Sequence, residues 1–352
     1  MTEVVQTVLG PIPPAALGIT LSHEHLLCDQ RGVTFQEPTD AADRALARRP
    51  VSLEIFHWIQ FNWASNLDNL VLDSEGTAID EARLYREAGG QGIVDCTSVG
   101  LGRDPHAIAR IARATGLHIV MGCGYYVAPT HPPCVASMTE DDITREIIRD
   151  ITEGVGDTGI RAGFIGEIGS SWPLVPVEAK VFRAAAVAQA ALGCGLSVHP
   201  GRHPDSPFAI VDILRSGGAD PRRVVISHID RTVQSLDRLK ALADTGCYLE
   251  YDLFGCETTA TFPYQAFGID MPSDAQRLDL VRALMDAGYG AQLLFSHDVC
   301  TKHRTRRYGG PGYDHIVRNI LPWMRRRGFT ESEVRLPVID NPRRVFAMPA
   351  DR

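Results

Sequence analysis

The chain has no basic run longer than the three arginines at 325–327, no Cys-x-x-Cys pair and no uninterrupted apolar stretch of membrane-spanning length. Each absence excludes a class. With no basic stripe or tail and a formal charge of −8, no nucleic-acid partner is expected. With no long apolar run, no transmembrane helix and no membrane partner are expected. The N-terminus, Met1-Thr2-Glu3-Val4-Val5-Gln6, lacks the charged-then-apolar layout of a signal peptide, so a cytoplasmic location is the expectation. The eight cysteines are scattered, several inside apolar runs where a thiol packs as a small hydrophobe, and are read as reduced and mostly structural.

What is present suits a globular enzyme. The 352 residues, 44% hydrophobic and 22% charged, allow two average domains or one α/β barrel with insertions. A short hairpin is expected around Gly10-Pro11-Ile12-Pro13-Pro14. Short apolar runs then recur at residues 18–27, 92–97, 117–122, 162–169, 195–200, 224–228, 247–251 and 292–298. Helical stretches separate them. Asp104-Pro105 is an N-cap followed by proline at the first helical position, and Ile143, Ile147, Ile148 and Ile151 share one helical face. Residues 29–73, with Trp58, Phe61 and Trp63, read as a helical insertion after the first strand.

Eight strands alternating with helices indicate a parallel sheet covered by helices, and eight such units favour a closed (β/α)8 TIM barrel, one domain over residues 1–352. The alternative is an open doubly wound sheet, which usually carries a glycine fingerprint after its first strand. That place holds His23-Glu24-His25, and the cluster Gly100-Leu101-Gly102-Arg103-Asp104-Pro105 has proline where the third glycine belongs.

The strand ends carry the chemistry. On a strand, His23 and His25 point to one face. Glu167 ends the fourth run, His199 the fifth, His228 the sixth and Asp298 the eighth. In a barrel these ends converge on one mouth. Six nitrogen and carboxylate ligands exceed the needs of one open catalytic zinc and suit two divalent metal ions. Glu167 is the expected bridge. His23, His25 and Asp298 complete the more buried ion, and His199 and His228 the more exposed one. A hydroxide held between two cations is a nucleophile near neutral pH, and Asp298 can take its proton and pass it to the leaving group. Zinc is the first choice; manganese, cobalt or nickel also fit.

At these residues the sequence resembles the amidohydrolase superfamily and, more narrowly, the phosphotriesterase family. Thr7-Val8-Leu9-Gly10 followed by Leu21-Ser22-His23-Glu24-His25-Leu26 is similar to that family's opening. Gly166-Glu167-Ile168-Gly169, His199-Pro200-Gly201-Arg202, Ser227-His228-Ile229-Asp230-Arg231-Thr232 and Tyr248-Leu249-Glu250-Tyr251-Asp252 resemble its phosphotriesterase-related branch. The resemblance spans nearly the whole chain and implies that the six residues above bind two metals. It also implies hydrolysis of small N-acyl amides, N-acetyltaurine in particular. One departure matters. Phosphotriesterases and related lactonases bridge the metals with a carboxylated lysine on strand four. This chain has Glu167 there, and its only lysines are Lys180, Lys240 and Lys302.

A small anionic N-acyl substrate needs a cation in the pocket. Arg202 follows His199 by three residues, Arg231 follows His228 in the same way, and Lys302 follows Asp298. Arginine's planar fork suits carboxylate or sulfonate. Tyr126, Trp172 and Tyr251 lie just past strands and are expected to wall the pocket. His297 should point away from Asp298's side. The loop Tyr308-Gly309-Gly310-Pro311-Gly312-Tyr313 is glycine-rich enough for a lid. A lactonase or phosphoesterase using the same site is the alternative activity. A homodimer is compatible with the sequence.

Overall fold

A computed structural model of the protein describes residues 2–257 and 268–350. Eight strands form one parallel sheet in chain order: β1 (Thr20–Glu24), β2 (Gly92–Asp95), β3 (His118–Cys123), β4 (Phe164–Gly169), β5 (Leu196–His199), β6 (Val224–Ile226), β7 (Tyr248–Tyr251) and β8 (Leu293–Phe295). The ends meet: the Ser22 hydroxyl donates to the Phe295 carbonyl at 3.2 Å, and the Asp298 N–H donates to the His23 carbonyl at 3.1 Å. The result is the (β/α)8 TIM barrel expected from the alternation of short apolar runs and helices.

The helices start and stop where their sequences dictate. They are α1 (Glu75–Glu87), α2 (Pro105–Thr115), α3 (Glu140–Thr152), α4 (Pro176–Leu192), α5 (Ser206–Ser216), α6 (Leu236–Ala243), α7 (Asp274–Asp286) and α8 (Leu321–Arg326). Asp104 accepts from the Ala107 N–H at the start of α2, and Gly116 ends that helix in the left-handed conformation. Thr139 with Asp142, and Ser273 with Gln276, close reciprocal caps on α3 and α7. Ile143, Ile147 and Ile151 of α3 are buried against the sheet. Among the described residues no helix is long and apolar enough to cross a membrane.

Val94, Val120, Phe164, Val225, Tyr248 and Leu294 fill the lower barrel, packed with Val5 and Phe346. Val5 belongs to a three-stranded antiparallel sheet of Glu3–Thr7, Gly10–Ile12 and Ala347–Pro349 that plugs this end. The hairpin turns at Val8 and Leu9, earlier than the Gly-Pro cluster suggested, because Gly10-Pro11-Ile12 itself forms the second strand. The insertion is held by a two-stranded ladder, Cys28–Asp29 with Val71–Leu72, and contains the short helices Arg31–Thr34, Ala41–Leu46 and Phe56–Phe61. It roofs the open mouth of the barrel, to which it contributes Gln30, Thr34 and Trp63.

Candidate metal centre

All six residues singled out at strand ends meet at the mouth. His23 lies in β1 and His25 one residue past it, with Glu24 between them turned the other way to accept the N–H groups of His297 and Val299. Glu24 also lies 2.7 Å from Nδ1 of His297, so that imidazole faces away from the mouth. Glu167 reaches the interior through a break in register between Ile165 and Ile168. Simple alternation would put Glu167 on the face of Ile165, which packs toward the helices; the irregularity turns it inward. At Gly166 a Cβ would come within 2.5 Å of the Ser197 carbonyl oxygen, so glycine permits that path.

Glu167 is the hub. Its Oε1 lies 2.7 Å from Nδ1 of His199, 2.9 Å from Nε2 of His228 and 3.6 Å from Nε2 of His23. It belongs to two compact groups of metal-binding side chains, His23–His25–Glu167 and Glu167–His199–His228. Asp298 Oδ1 sits 3.3 Å from Nε2 of His25 and 4.0 Å from that of His23. His228 and Asp298 are the only described residues other than glycine with positive φ, 53° and 52°. Backbone held in the left-handed region at two such side chains is strain kept where a site needs it.

Two residues not singled out from the sequence hold the imidazoles from behind. Glu250 Oε2 lies 3.1 Å from Nδ1 of His23, and Asp252 Oδ1 lies 2.9 Å from Nδ1 of His228. The signal was present: two acids inside the apolar run Tyr248-Leu249-Glu250-Tyr251-Asp252-Leu253-Phe254 must be buried, and buried charge needs a partner. Thr97 Oγ1 does the same for His25, 2.9 Å from its Nδ1. With each Nδ1 engaged, the Nε2 atoms of His23 and His228 turn toward Glu167 and that of His25 toward Asp298.

Protonation follows the surroundings. Burial pushes His199 down to about 4, with Glu167 offsetting part of the effect. Burial, then the Arg231 guanidinium, pushes His228 well down. Burial opposes ionisation of Glu167 and Asp298, but the imidazoles around them outweigh it and hold both carboxyls below the usual range. Neutral imidazoles and ionised carboxylates are the forms that bind a cation. His199 and His228 are already neutral, whereas His23 and His25, raised against the effect of burial by the groups beside them, must give up protons to it.

The expected substrate-binding residues divide. Arg231 is buried, its Nη2 3.2 Å from Nε2 of His199. Tyr126, with its hydroxyl 3.2 Å from the same nitrogen, lines the cavity together with Arg202. Arg304, not anticipated, lines it too and donates to the Asp298 carbonyl at 3.3 Å. Trp172 lines a neighbouring outer cavity, stacked on His203 with ring centroids 4.9 Å apart. Two expectations are corrected. Lys302 turns from the mouth to donate to Asp68 at 2.7 Å. Tyr251 is fully buried among residues under the helices, because Glu250 takes the inward position of β7 and the next side chain must point outward. The glycine-rich loop at 308–313 is pinned: Gly310 and Gly312 N–H groups donate to the Thr305 and Arg304 carbonyls at 2.9 Å. Gly310 has backbone of Arg304 within 2.3 Å of where a Cβ would sit.

A parallel eight-stranded barrel with imidazoles and carboxylates clustered at its C-terminal mouth is the arrangement of a metal-dependent hydrolase. The sequence model of the Phosphotriesterase family matches residues 3–346, and the chain belongs to that family. A relative named N-acetyltaurine hydrolase, from Mus musculus, is 44% identical over 344 residues, covering 96% of each chain. A crystal structure of a resiniferatoxin-binding protein from Rhodobacter sphaeroides superposes with a TM-score of 0.93 at 38% identity, over 97% of this chain and 94% of that one. The organophosphorus hydrolase of Deinococcus radiodurans superposes with a TM-score of 0.74 at 28% identity, over 97% and 96%.

Proposed function

We propose that this chain is a binuclear metal-dependent amide hydrolase acting on a small anionic N-acyl amide of the N-acetyltaurine or N-acetyl amino acid kind. The observation that carries the reading is Glu167, whose single oxygen stands within 3.6 Å of imidazole nitrogens from three strands. The side chains fit a pair of cations. Nε2 of His23 is buried with no hydrogen-bond partner, a donor atom that only a ligand would satisfy. His23, His25 and Asp298 would hold one ion, His199 and His228 the other, and Glu167 both. Zinc suits this donor set, and manganese, cobalt or nickel are compatible. The chain offers no lysine in place of Glu167: Lys180 is engaged by the Val135 and Met138 carbonyls, Lys302 by Asp68, and Lys240 lies on α6.

When bound, the ions supply Lewis acidity and a water acidified to near neutral pH. The protein's own part is positioning and proton transfer. Asp298 is ionised, next to His25, and takes the proton of the attacking water to the leaving amine nitrogen. Arg231, Arg202 and Arg304 give the cavity three guanidinium groups. Its carboxylates, Glu167 and Asp298, are committed to the cation site, so the remaining charge favours an anionic substrate. The relative named as an N-acetyltaurine hydrolase supports the amide over the ester. Purified protein assayed against N-acetyltaurine, a lactone panel and paraoxon-like triesters tests this: amide turnover should dominate. Lactone or triester turnover without amide cleavage would replace the reading with a lactonase or phosphoesterase at the same site.

A further inference from the structure

Beside the inner cavity, about 640 Å³ including space open to solvent, lies an outer one of about 840 Å³ on the same measure. Thr34, Tyr126, His199 and Arg202 wall both. Their chemistry differs. Glu167, Asp298, Arg231 and Arg304 line the inner cavity and not the outer one. The outer cavity is bounded by Val33, Val127, Pro129 and Trp172, with Ser170 and Ser171 beside them and Arg202 as its one charged side chain. Its walls are firm. Trp172 stacks on His203 at an interplanar angle of 8°, and Gly201 packs so closely that a Cβ there would meet the Trp172 Cβ at 2.7 Å.

We infer that the outer cavity is the acyl subsite, and that the chain prefers N-acyl amides whose acyl group is longer than acetyl. This rests on the amide reading above. The scissile carbon must lie beside Glu167 and Asp298, in the inner cavity. The anionic amine half then stays with Arg231 and Arg304, two of the three guanidinium groups, while Arg202 stands at the boundary of the two cavities. Among the described residues, two cavities share walls with the inner one. That of Phe56, Gln60 and Trp63 touches none of the six residues of the metal centre, whereas the outer one includes His199. An acyl group on the scissile carbon therefore passes Tyr126 and His199 toward Val33, Val127 and Trp172. Acetyl ends in a single methyl group and cannot fill that space; each further methylene leaves water for apolar walls. The bond chemistry is unchanged. Water oxygen joins the acyl carbon, the C–N bond breaks, the amine leaves with the proton, and the longer carboxylic acid is released.

The experiment is an acyl series on taurine, from acetyl through propionyl and butanoyl to hexanoyl, run with metal-loaded protein. Wild-type kcat/KM should rise roughly fourfold per methylene over the first additions. Val33→Trp, which fills the outer cavity, should collapse the hexanoyl-to-acetyl ratio. Product inhibition provides a reading that needs no variant: hexanoate should inhibit more strongly than acetate. A profile that is flat or falls from acetyl to hexanoyl overturns the subsite while leaving the amide reading intact. Failure to cleave any taurine amide, with lactones or triesters turned over, overturns the amide reading instead.

Discussion

Asp252 grips His228 at two points. Its carboxylate accepts the His228 backbone N–H at 2.9 and 3.0 Å and lies 2.9 Å from Nδ1 of the ring. The N–H bond holds a residue with φ of 53°, and the ring contact aims Nε2 at Glu167. The same carboxylate stands 3.4 Å from Nδ1 of His23. One buried acid thus orients an imidazole in each of the two groups that share Glu167. Asp252→Asn keeps the shape but weakens both acceptor contacts. Metal affinity, measured by competition with a chelator, should fall roughly 10- to 100-fold. Unchanged affinity would remove Asp252 from the site.

Glu167 stands in both groups, so its loss should differ from the loss of any histidine. In Glu167→Ala the bound metal should drop below one ion per chain, whereas His25→Ala should keep the ion held by His199 and His228. Elemental analysis after dialysis reads the difference. Equal metal content in the two variants would mean that Glu167 is not shared.

Asp298 is expected to matter more for turnover than for metal. Asn keeps an oxygen ligand but cannot accept a proton. Asp298→Asn should therefore retain its metal and lose roughly 10²- to 10⁴-fold in kcat. Undiminished kcat would exclude the proton-transfer role.

How much of this was legible follows from what each residue's position depends on. His23 and His25 were readable because a period of two fixes their common face. The barrel was readable because each apolar run and each cap obeys a local rule. Glu167 was readable as an acid ending a strand, yet its inward aim depends on a break in register at Ile165–Ile168 that no periodicity announces. Lys302 and Tyr251, like Arg231, sit within a few residues of strand ends. Proximity along the chain gives no side-chain direction, which Asp68 and the β7 pleat decide. Glu250 and Asp252 went unassigned because a second layer of acids declares itself only once the imidazoles it supports are in place.

Arg277 is a separate test of what holds the mouth. It is fully buried, donating to Asp230 and Asp274 at 2.8 Å each and to the Cys256 carbonyl at 2.7 Å. It ties α7 to the turn that carries Arg231 and to the loop after β7. Arg277→Met would leave Asp230 buried without its counter-charge and Asp274 with only the His315 imidazole at 2.9 Å, at a cost of about 3–5 kcal/mol. Urea unfolding at pH 7 measures this; a loss under about 1 kcal/mol would show that water or rearrangement restores the pairing.

The pH dependence of the metal-free fold can be assigned a sign at His199. Burial sets its folded value at about 4, below the ordinary 6.5. The unfolded chain therefore binds a proton that the folded chain refuses, over the window between those values. His199 contributes fully to stability above about 6.5, and the contribution is lost as pH falls toward about 4. His23 and His25, with raised values, contribute the opposite slope, so the test is the difference: between pH 7 and pH 4.5 the urea midpoint of metal-free wild type should lose more than that of His199→Asn. Parallel curves for the two proteins would mean that the imidazole keeps enough solvent to titrate normally. A cation needs the same neutral ring, so metal affinity should weaken over the same descent, with protons released on binding at the acid end.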